Sequence, residues 1–164
     1  MKPKKLIFLT LALALPVAVF VFLKIFGENE FNVPLLHQDG TIPSPENCDF
    51  SYKAPYTIPD SLIDILHLKA EDSLYVFYFD PSTGAAMRRV ATEAKWLPVQ
   101  IVDRSFFPHE TDERIIRECI LLLKPPASVA LVDHRNRIRG YYDGSDRDEI
   151  DRLLVEIKII LKQY

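Results

Sequence analysis

Leu74-Tyr-Val-Phe-Tyr-Phe79, then Asp80-Pro-Ser-Thr-Gly84, then Ala85-Ala-Met87 is the stretch that decides the fold. Six consecutive apolar and aromatic residues are too few for an independent helix and suit a strand covered on both faces. Asp80 to Gly84 has the chemistry of a turn. Straight after it, Met87, Val90, Ala91 and Ala94 recur at helical spacing, with Arg88, Arg89, Glu93 and Lys95 opposite them. Strand, tight loop, helix is an α/β building block, and α/β proteins place ligands and chemistry at the carboxyl ends of such strands. This loop contains no cysteine, no histidine and one carboxylate, Asp80.

Downstream, Pro98 is expected to end the helix, and Val99 to Asp103 reads as a second strand. Arg104 to Glu110 is a loop carrying Phe106 and Phe107, for which packing under the loop is expected. Thr111 is a candidate N-cap, with Asp112 and Glu113 suited to the positive end of the helix that follows. Ile115, Ile116, Cys119, Ile120, Leu122 and Leu123 form its apolar face, and Lys124-Pro125-Pro126 terminates it. Ser128 to Asp133 is a third strand and Ile138 to Tyr142 its hairpin partner, with His134-Arg135-Asn136-Arg137 as a solvated turn between them. Ser145 is expected to cap the last helix, with Asp148 three residues on. On that helix Ile150, Leu153, Leu154, Ile157, Ile160, Leu161 and Tyr164 share one face, which is expected to pack on the sheet.

Upstream, Gly27 to Asp60 holds Pro34, Pro43, Pro45, Pro55 and Pro59, which forbid long regular structure. Phe31 to Leu35 and Pro55 to Pro59 are candidate short edge strands. His37 reads as a surface residue. Asp60-Ser61-Leu62 begins a short helix reaching His67, followed by a polar turn from Ala70 to Ser73.

Further back, Lys2, Lys4 and Lys5 precede Leu6 to Leu23, an apolar run broken only by Thr10 and Pro16 and extended by Ile25 and Phe26. A run of that length reaches the threshold for a membrane-spanning helix. The alternative is a cleaved signal peptide, but the bulky Phe22-Leu23-Lys24-Ile25-Phe26 does not suit cleavage. An uncleaved anchor over residues 6–26 is therefore expected. The lysine cluster, residues 1–5, should stay in the cytoplasm and send the rest of the chain across the membrane.

Of the 164 residues, 20 are Lys or Arg and 23 are Asp or Glu. Four of those lysines and none of the acids fall in residues 1–26, so the remainder carries 16 basic and 23 acidic groups, a net of −7. That balance argues against nucleic acid, whose phosphates need a basic face. The two cysteines, Cys48 in the proline-rich region and Cys119 on an apolar helix face, leave two readings open: free thiols, Cys119 as a buried small hydrophobe, or a disulfide. Closing so long a loop would stabilise the domain by about 4 kcal/mol on the chain-entropy model. No Gly-rich phosphate loop, zinc spacing or Ser-His-Asp grouping stands out. Asp80, Ser82, Asp103 and His109 are a weak candidate grouping, with nothing in their spacing to join them.

The order strand, helix, strand, helix, strand, hairpin strand, helix is the thioredoxin-like arrangement, a mixed sheet flanked by helices. Residues 61–164 are expected to form that domain, with 27–60 as a connecting region and the transmembrane helix ahead of it. Leu131-Val-Asp-His-Arg-Asn-Arg-Ile-Arg-Gly-Tyr-Tyr-Asp-Gly144, running into Asp148-Glu-Ile-Asp-Arg-Leu-Leu-Val-Glu-Ile-Lys-Ile-Ile-Leu161, resembles the C-terminal part of the Sco/SenC family, most of all its Bacteroidetes members. The short anchor, Phe31 to Pro34 and Pro55 to Asp60 resemble the same group. The resemblance implies a membrane-anchored thioredoxin fold in the periplasm that assists cytochrome c oxidase, by delivering copper to its Cu(A) centre or by reducing its thiols. The family's ligands are a Cys-x-x-x-Cys after the first core strand and a histidine ahead of a later strand, a soft set suited to copper. Aligned on Met87, those positions are Asp80, Gly84 and a point near Pro125, and none can serve. No catalytic residue, metal ligand or cofactor is therefore expected. The expected role is a non-catalytic interaction or assembly factor of the respiratory chain, in contact with oxidase subunits or another Sco-like protein. The alternatives are a thiol or copper-handling protein using Cys48 and Cys119, and a structural envelope protein that keeps only the fold.

Overall fold

A computed structural model describes residues 12–22, 32–40, 42, 44–45, 48, 50–66, 68, 74–108 and 112–162. The chain divides into two compact units, Met1–Asn32 and Val33–Tyr164. In the first, residues 12–22 are helical and exposed. Residues 6–11 and 23–26 of the expected anchor lie outside the described residues. Among the described residues no helix is long and apolar enough to cross a membrane.

The second unit takes in the proline-rich stretch from Val33 onward and is built on a four-stranded mixed sheet. Its elements are α1 (Asp60–Ile65), β1 (Leu74–Tyr78), α2 (Gly84–Glu93), β2 (Val99–Val102), β3 (Val129–Val132), β4 (Ile138–Tyr142) and α3 (Arg147–Lys162). The strand order is β2-β1-β3-β4. β1 runs parallel to β2, with Val76 opposite Ile101, and antiparallel to β3, with Val76 opposite Leu131. β3 and β4 form the expected antiparallel hairpin.

Period-two alternation sorts the side chains of β1 between two cores. Tyr75 and Phe77 join Ala130, Val132 and Ile138 against Leu62 and Ile63 of α1, Leu66 just after it, and Ile116 and Ile120. Leu74 and Val76 join Val129, Leu131 and Tyr142 against Met87 and Val90 of α2 and the α3 stripe Ile150, Leu153, Leu154, Ile157 and Ile160. A lone 16-residue helix is marginal in water, so this burial is what holds α3 in place.

Several sequence expectations change. Ala91 is exposed, and α2 ends at Glu93, ahead of Pro98. Of the aromatic pair, Phe107 is buried, stacked on Phe79, and Phe106 is 39% exposed. The expected long amphipathic helix around Cys119 is a short π-helical turn, Ile115–Ile120. It stops because Leu122 takes a left-handed backbone, φ 54°. Leu121, Leu122 and Leu123 are buried all the same, so the apolar run packs as an irregular segment. Ser145 does not cap α3; the Asp146 carboxylate accepts from the Asp148 N–H at 2.9 Å and takes that role. Residues 32–35 and 55–59 form no strand. They attach by isolated hydrogen bonds rather than a ladder, such as Ile58 N–H to the Asn136 carbonyl (2.8 Å) and, just past the first stretch, Leu36 N–H to the Ile138 carbonyl (3.0 Å), because proline removes the donors a ladder needs. Phe31, His67, His109, Thr111 and Tyr164 lie outside the described residues.

Candidate functional site

The loop after β1 closes on itself. The Asp80 carboxylate accepts from the Ser82 N–H at 2.8 Å, and Pro81–Thr83 forms one 3-10 turn leading into α2 at Gly84. Those hydrogen bonds from Ser82 hold the Asp80 carboxyl below the usual carboxylate range, so it is ionised and already engaged. Thr83 is buried, its hydroxyl 3.3 Å from the Ser128 hydroxyl. Ser128 Oγ in turn accepts from the Gly144 N–H at 3.0 Å. Three segments thus meet at one point: the loop after β1, the start of β3 and the turn before α3. Gly144 is required there, because a Cβ would run into Thr83 Cγ2 and come within 2.8 Å of Ser128 Oγ.

Beside this junction an open cleft of about 520 Å³ runs between the first turns of α2 and α3, with Ser82, Ala86, Arg89, Ser145 and Arg147 on its walls. The Arg89 guanidinium is tied to Glu93 at 2.7 Å and to Asp151 at 2.5 Å. The wall offers hydroxyls, small side chains and paired charge; thiolate and imidazole are not part of it. The three positions that the resemblance singled out, Asp80, Gly84 and Pro125, are each in a local structure of their own. Asp80 faces its own loop, Gly84 opens α2, and Pro125 begins a cis Pro125–Pro126 peptide ahead of β3. Among the described residues no group of three His, Cys, Asp or Glu side chains could hold a metal ion.

Of the candidate grouping, Asp80 and Asp103 are each held by the serine two residues on, and His109 lies outside the described residues. The Asp103 carboxylate accepts from the Ser105 N–H (2.8 Å) and hydroxyl (2.5 Å) and from the Tyr78 hydroxyl (3.3 Å). The Ser105 hydroxyl does most to keep it acidic.

Cys48 and Cys119 are joined in a disulfide, their Cα atoms 5.6 Å apart across 71 residues of sequence. Cys119 is buried and Cys48 half-buried. Around Cys119 lies a feature that sequence reasoning missed. Three tyrosine hydroxyls donate to three successive carbonyls at the end of the π-helical turn: Tyr52 to Cys119 (2.8 Å), Tyr56 to Ile120 (2.6 Å) and Tyr141 to Leu121 (2.7 Å). Carbonyls at a helix end need outside donors, and phenols supply them where water does not reach. His37 is not a plain surface residue: its Nε2 lies 3.0 Å from the Tyr141 hydroxyl. The single Tyr141 proton goes to Leu121, so His37 donates through Nε2–H. Burial, and then the Lys124 charge, lower the His37 pKa, which keeps that ring neutral.

The hairpin turn is not a simple solvated tip either. Asp133, fully buried, accepts from the Arg137 Nε at 2.9 Å and from the N–H groups of Arg135 and Arg137, both at 3.0 Å. Arg139, also buried, reaches Asp133 at 3.5 Å and donates to the Val33 carbonyl at 2.9 Å. Its placement on β4 between Ile138 and Gly140 was the available signal, since both faces of that strand are covered.

No protein-family model, curated protein or solved structure matches the chain.

Proposed function

We propose that this chain is a membrane-anchored, thioredoxin-fold protein of the Sco/SenC type, acting as a non-catalytic interaction or assembly factor of the respiratory chain, with cytochrome c oxidase as the first candidate. The observation that carries the reading is the sheet. A parallel β1–β2 pair joined through α2, then an antiparallel β3–β4 hairpin and a closing helix, in the order β2-β1-β3-β4, is the arrangement of a thioredoxin-like core. Into that arrangement the sequence writes the Sco-like stretch from Leu131 to Leu161, which builds β3, β4 and α3. On this reading the loop between β1 and α2 corresponds to the one where the family keeps its thiols, and it holds Asp80 and Gly84 instead.

The non-catalytic part rests on chemistry. Disulfide exchange needs a thiolate and tight copper binding needs soft ligands. Asp80 offers oxygen already bonded to Ser82, and Gly84 offers no side chain. Cys48 and Cys119, in their bonded state, have no thiolate for copper. The disulfide also suits an oxidising compartment, and so the reading of an inner-membrane anchor with the domain in the periplasm. The test is affinity purification of the tagged full chain from detergent-solubilised membranes, with quantitative mass spectrometry of what accompanies it. Oxidase subunits or a thiol-bearing Sco-like chain enriched over an anchor-only control support the assignment. Recovery of neither rejects it.

A further inference from the structure

The two edges of the sheet differ. Along β4 the chain from Val33 lies on the edge: the Leu36 N–H donates to the Ile138 carbonyl at 3.0 Å and Arg139 Nη2 donates to the Val33 carbonyl at 2.9 Å. β2 is the other edge strand. Leu74 stands opposite Val99 and Val76 opposite Ile101, and the Leu74 N–H donates to the Pro98 carbonyl at 2.8 Å. In a parallel ladder this register turns the backbone of Pro98, Gln100 and Val102 toward β1 and that of Val99, Ile101 and Asp103 outward. Two of the outward groups are satisfied within the chain, the Val99 N–H by the Leu97 carbonyl (2.8 Å) and the Asp103 carbonyl by the Phe106 N–H (3.1 Å). Among the described residues, the Val99 carbonyl, the Ile101 N–H and carbonyl, and the Asp103 N–H have no partner. Monomeric proteins guard such an edge with a charge, a proline or a bulge in the strand. Val99-Gln-Ile-Val102 has none of these.

We propose that the β2 edge takes the β2 strand of a second copy of this chain, in antiparallel pairing centred on Ile101, so that one continuous sheet runs through a two-fold dimer. The inference stands apart from the oxidase assignment and needs only the sheet. The open backbone groups are self-complementary. With Ile101 opposite Ile101, each Ile101 N–H donates to the other Ile101 carbonyl, and each Asp103 N–H donates to the Val99 carbonyl across the seam. Every open group on both strands is then used. The Val99 N–H and the Asp103 carbonyl, which meet at the ends of the seam, are already bonded within their own chains. A shift of two residues would instead set the Ile101 carbonyl against the Val99 N–H, which Leu97 has taken. The side chains suit the same two-fold. β2 carries no charge, so no like charges meet across the seam. Two exposed aromatics bracket it at equal distances: Trp96, 88% exposed, is five residues before Ile101, and Phe106, 39% exposed, is five after. Antiparallel pairing brings the Trp96 end of one copy to the Phe106 end of the other, where each covers the other.

The test uses the full chain in detergent at about 1 µM and about 200 µM, a range that spans the affinity expected of so small a seam. Sedimentation gives its mass, and hydrogen exchange resolved to single amides gives the surface used. At the higher concentration the chain should be a dimer, and the Ile101 and Asp103 amides should exchange at least about fivefold more slowly than at the lower one. The Gln100 and Val102 amides, bonded to β1, should be slow at both. Ile101→Pro removes the central donor without breaking a bond to β1, and Trp96→Ala removes the aromatic cover; each should weaken the dimer at least about tenfold. Trp96 is exposed enough for its loss to leave the fold intact, so that variant decides the matter where Ile101→Pro does not fold. A chain that stays monomeric at the higher concentration would overturn the proposal. So would a dimer whose Ile101 and Asp103 amides exchange as fast as in the monomer, or one that forms equally well with Trp96→Ala.

Discussion

Replacing Asp133 with asparagine tests the buried charge cluster that pins the start of the compact unit to the hairpin. The carboxylate is fully buried and meets Arg137 Nη2 at 2.7 Å, Arg137 Nε at 2.9 Å and Arg139 Nη1 at 3.5 Å. Asparagine keeps the shape and can still accept from the N–H groups of Arg135 and Arg137. It loses the charge, and its amide NH₂ or neutral oxygen replaces the anion facing two guanidinium groups. Arg139, whose side chain is 4% exposed, is then a buried cation that keeps, among the described residues, the Val33 carbonyl as its acceptor at 2.9 Å. Breaking a buried pair from one side costs about 3–5 kcal/mol, a large share of the roughly 5–15 kcal/mol that a domain has. At about 3–5 °C per kcal/mol for a unit of this size, Tm at pH 7 should fall by about 10–20 °C. The pH dependence supplies an internal control. Burial raises the Asp133 pKa, but the hydrogen bonds and charge of Arg137 outweigh it, leaving the folded value below that of a free carboxyl. The stabilisation is therefore complete above about pH 4 and is lost as pH falls through the depressed folded value. The gap in Tm between wild type and Asp133→Asn should be widest at neutral pH and close below that range. Differential scanning calorimetry of both full chains from pH 2 to 8 measures it. A gap under about 2 °C at pH 7, or one that does not narrow in acid, would refute the assignment of stability to this cluster.

Ile157→Asp places an unpaired carboxylate in the fully buried stripe of α3 and should cost on the order of 4 kcal/mol, read as a lower urea midpoint; an unchanged midpoint would mean that the helix is not packed on the sheet. Gly144→Ala puts a methyl group against Thr83 and Ser128 and should cost about 1–3 kcal/mol, with proton resonances of Ser82 to Ala85 shifting because the loop after β1 must give way. A neutral Gly144→Ala with an unshifted loop would dissolve the three-segment junction.

The mixed sheet flanked by helices was legible because β1 is apolar on both faces while α2 and α3 carry one-sided stripes, and these periods leave few arrangements open. The Cys119 segment was misread because Ile115 to Leu123 carries helical spacing along its whole length. Spacing cannot see the left-handed Leu122 that ends the turn, nor the three phenols that satisfy its carbonyls. Those phenols come from residues 20 to 67 positions away, beyond any local pattern. The disulfide was undecidable for the same reason: bonding at a separation of 71 residues depends on how the whole chain folds, not on either cysteine's neighbours. Asp133 and Arg139 read only as strand residues flanking a solvated turn, His134 to Arg137, and nothing local marks their burial together. Here the chain from Val33 covers the strand and removes the water. The loop Asp80–Gly84 was legible in both position and turn chemistry, with Asp80 binding Ser82 as such turns do.

The placement of that loop on the Sco pattern is the central claim, and a competition titration with Cu(I) tests it most directly. Asp80 and Gly84 bracket the turn after β1, and the Thr83–Ser128 contact brings that turn beside the segment that follows Pro125. The triple variant Asp80→Cys, Gly84→Cys, Pro125→His should therefore set two thiolates and an imidazole around one point and bind one Cu(I) per chain, with affinity raised by orders of magnitude over wild type. A folded triple variant whose Cu(I) affinity equals that of the wild-type chain would contradict the placement, and with it the Sco-like reading of this protein.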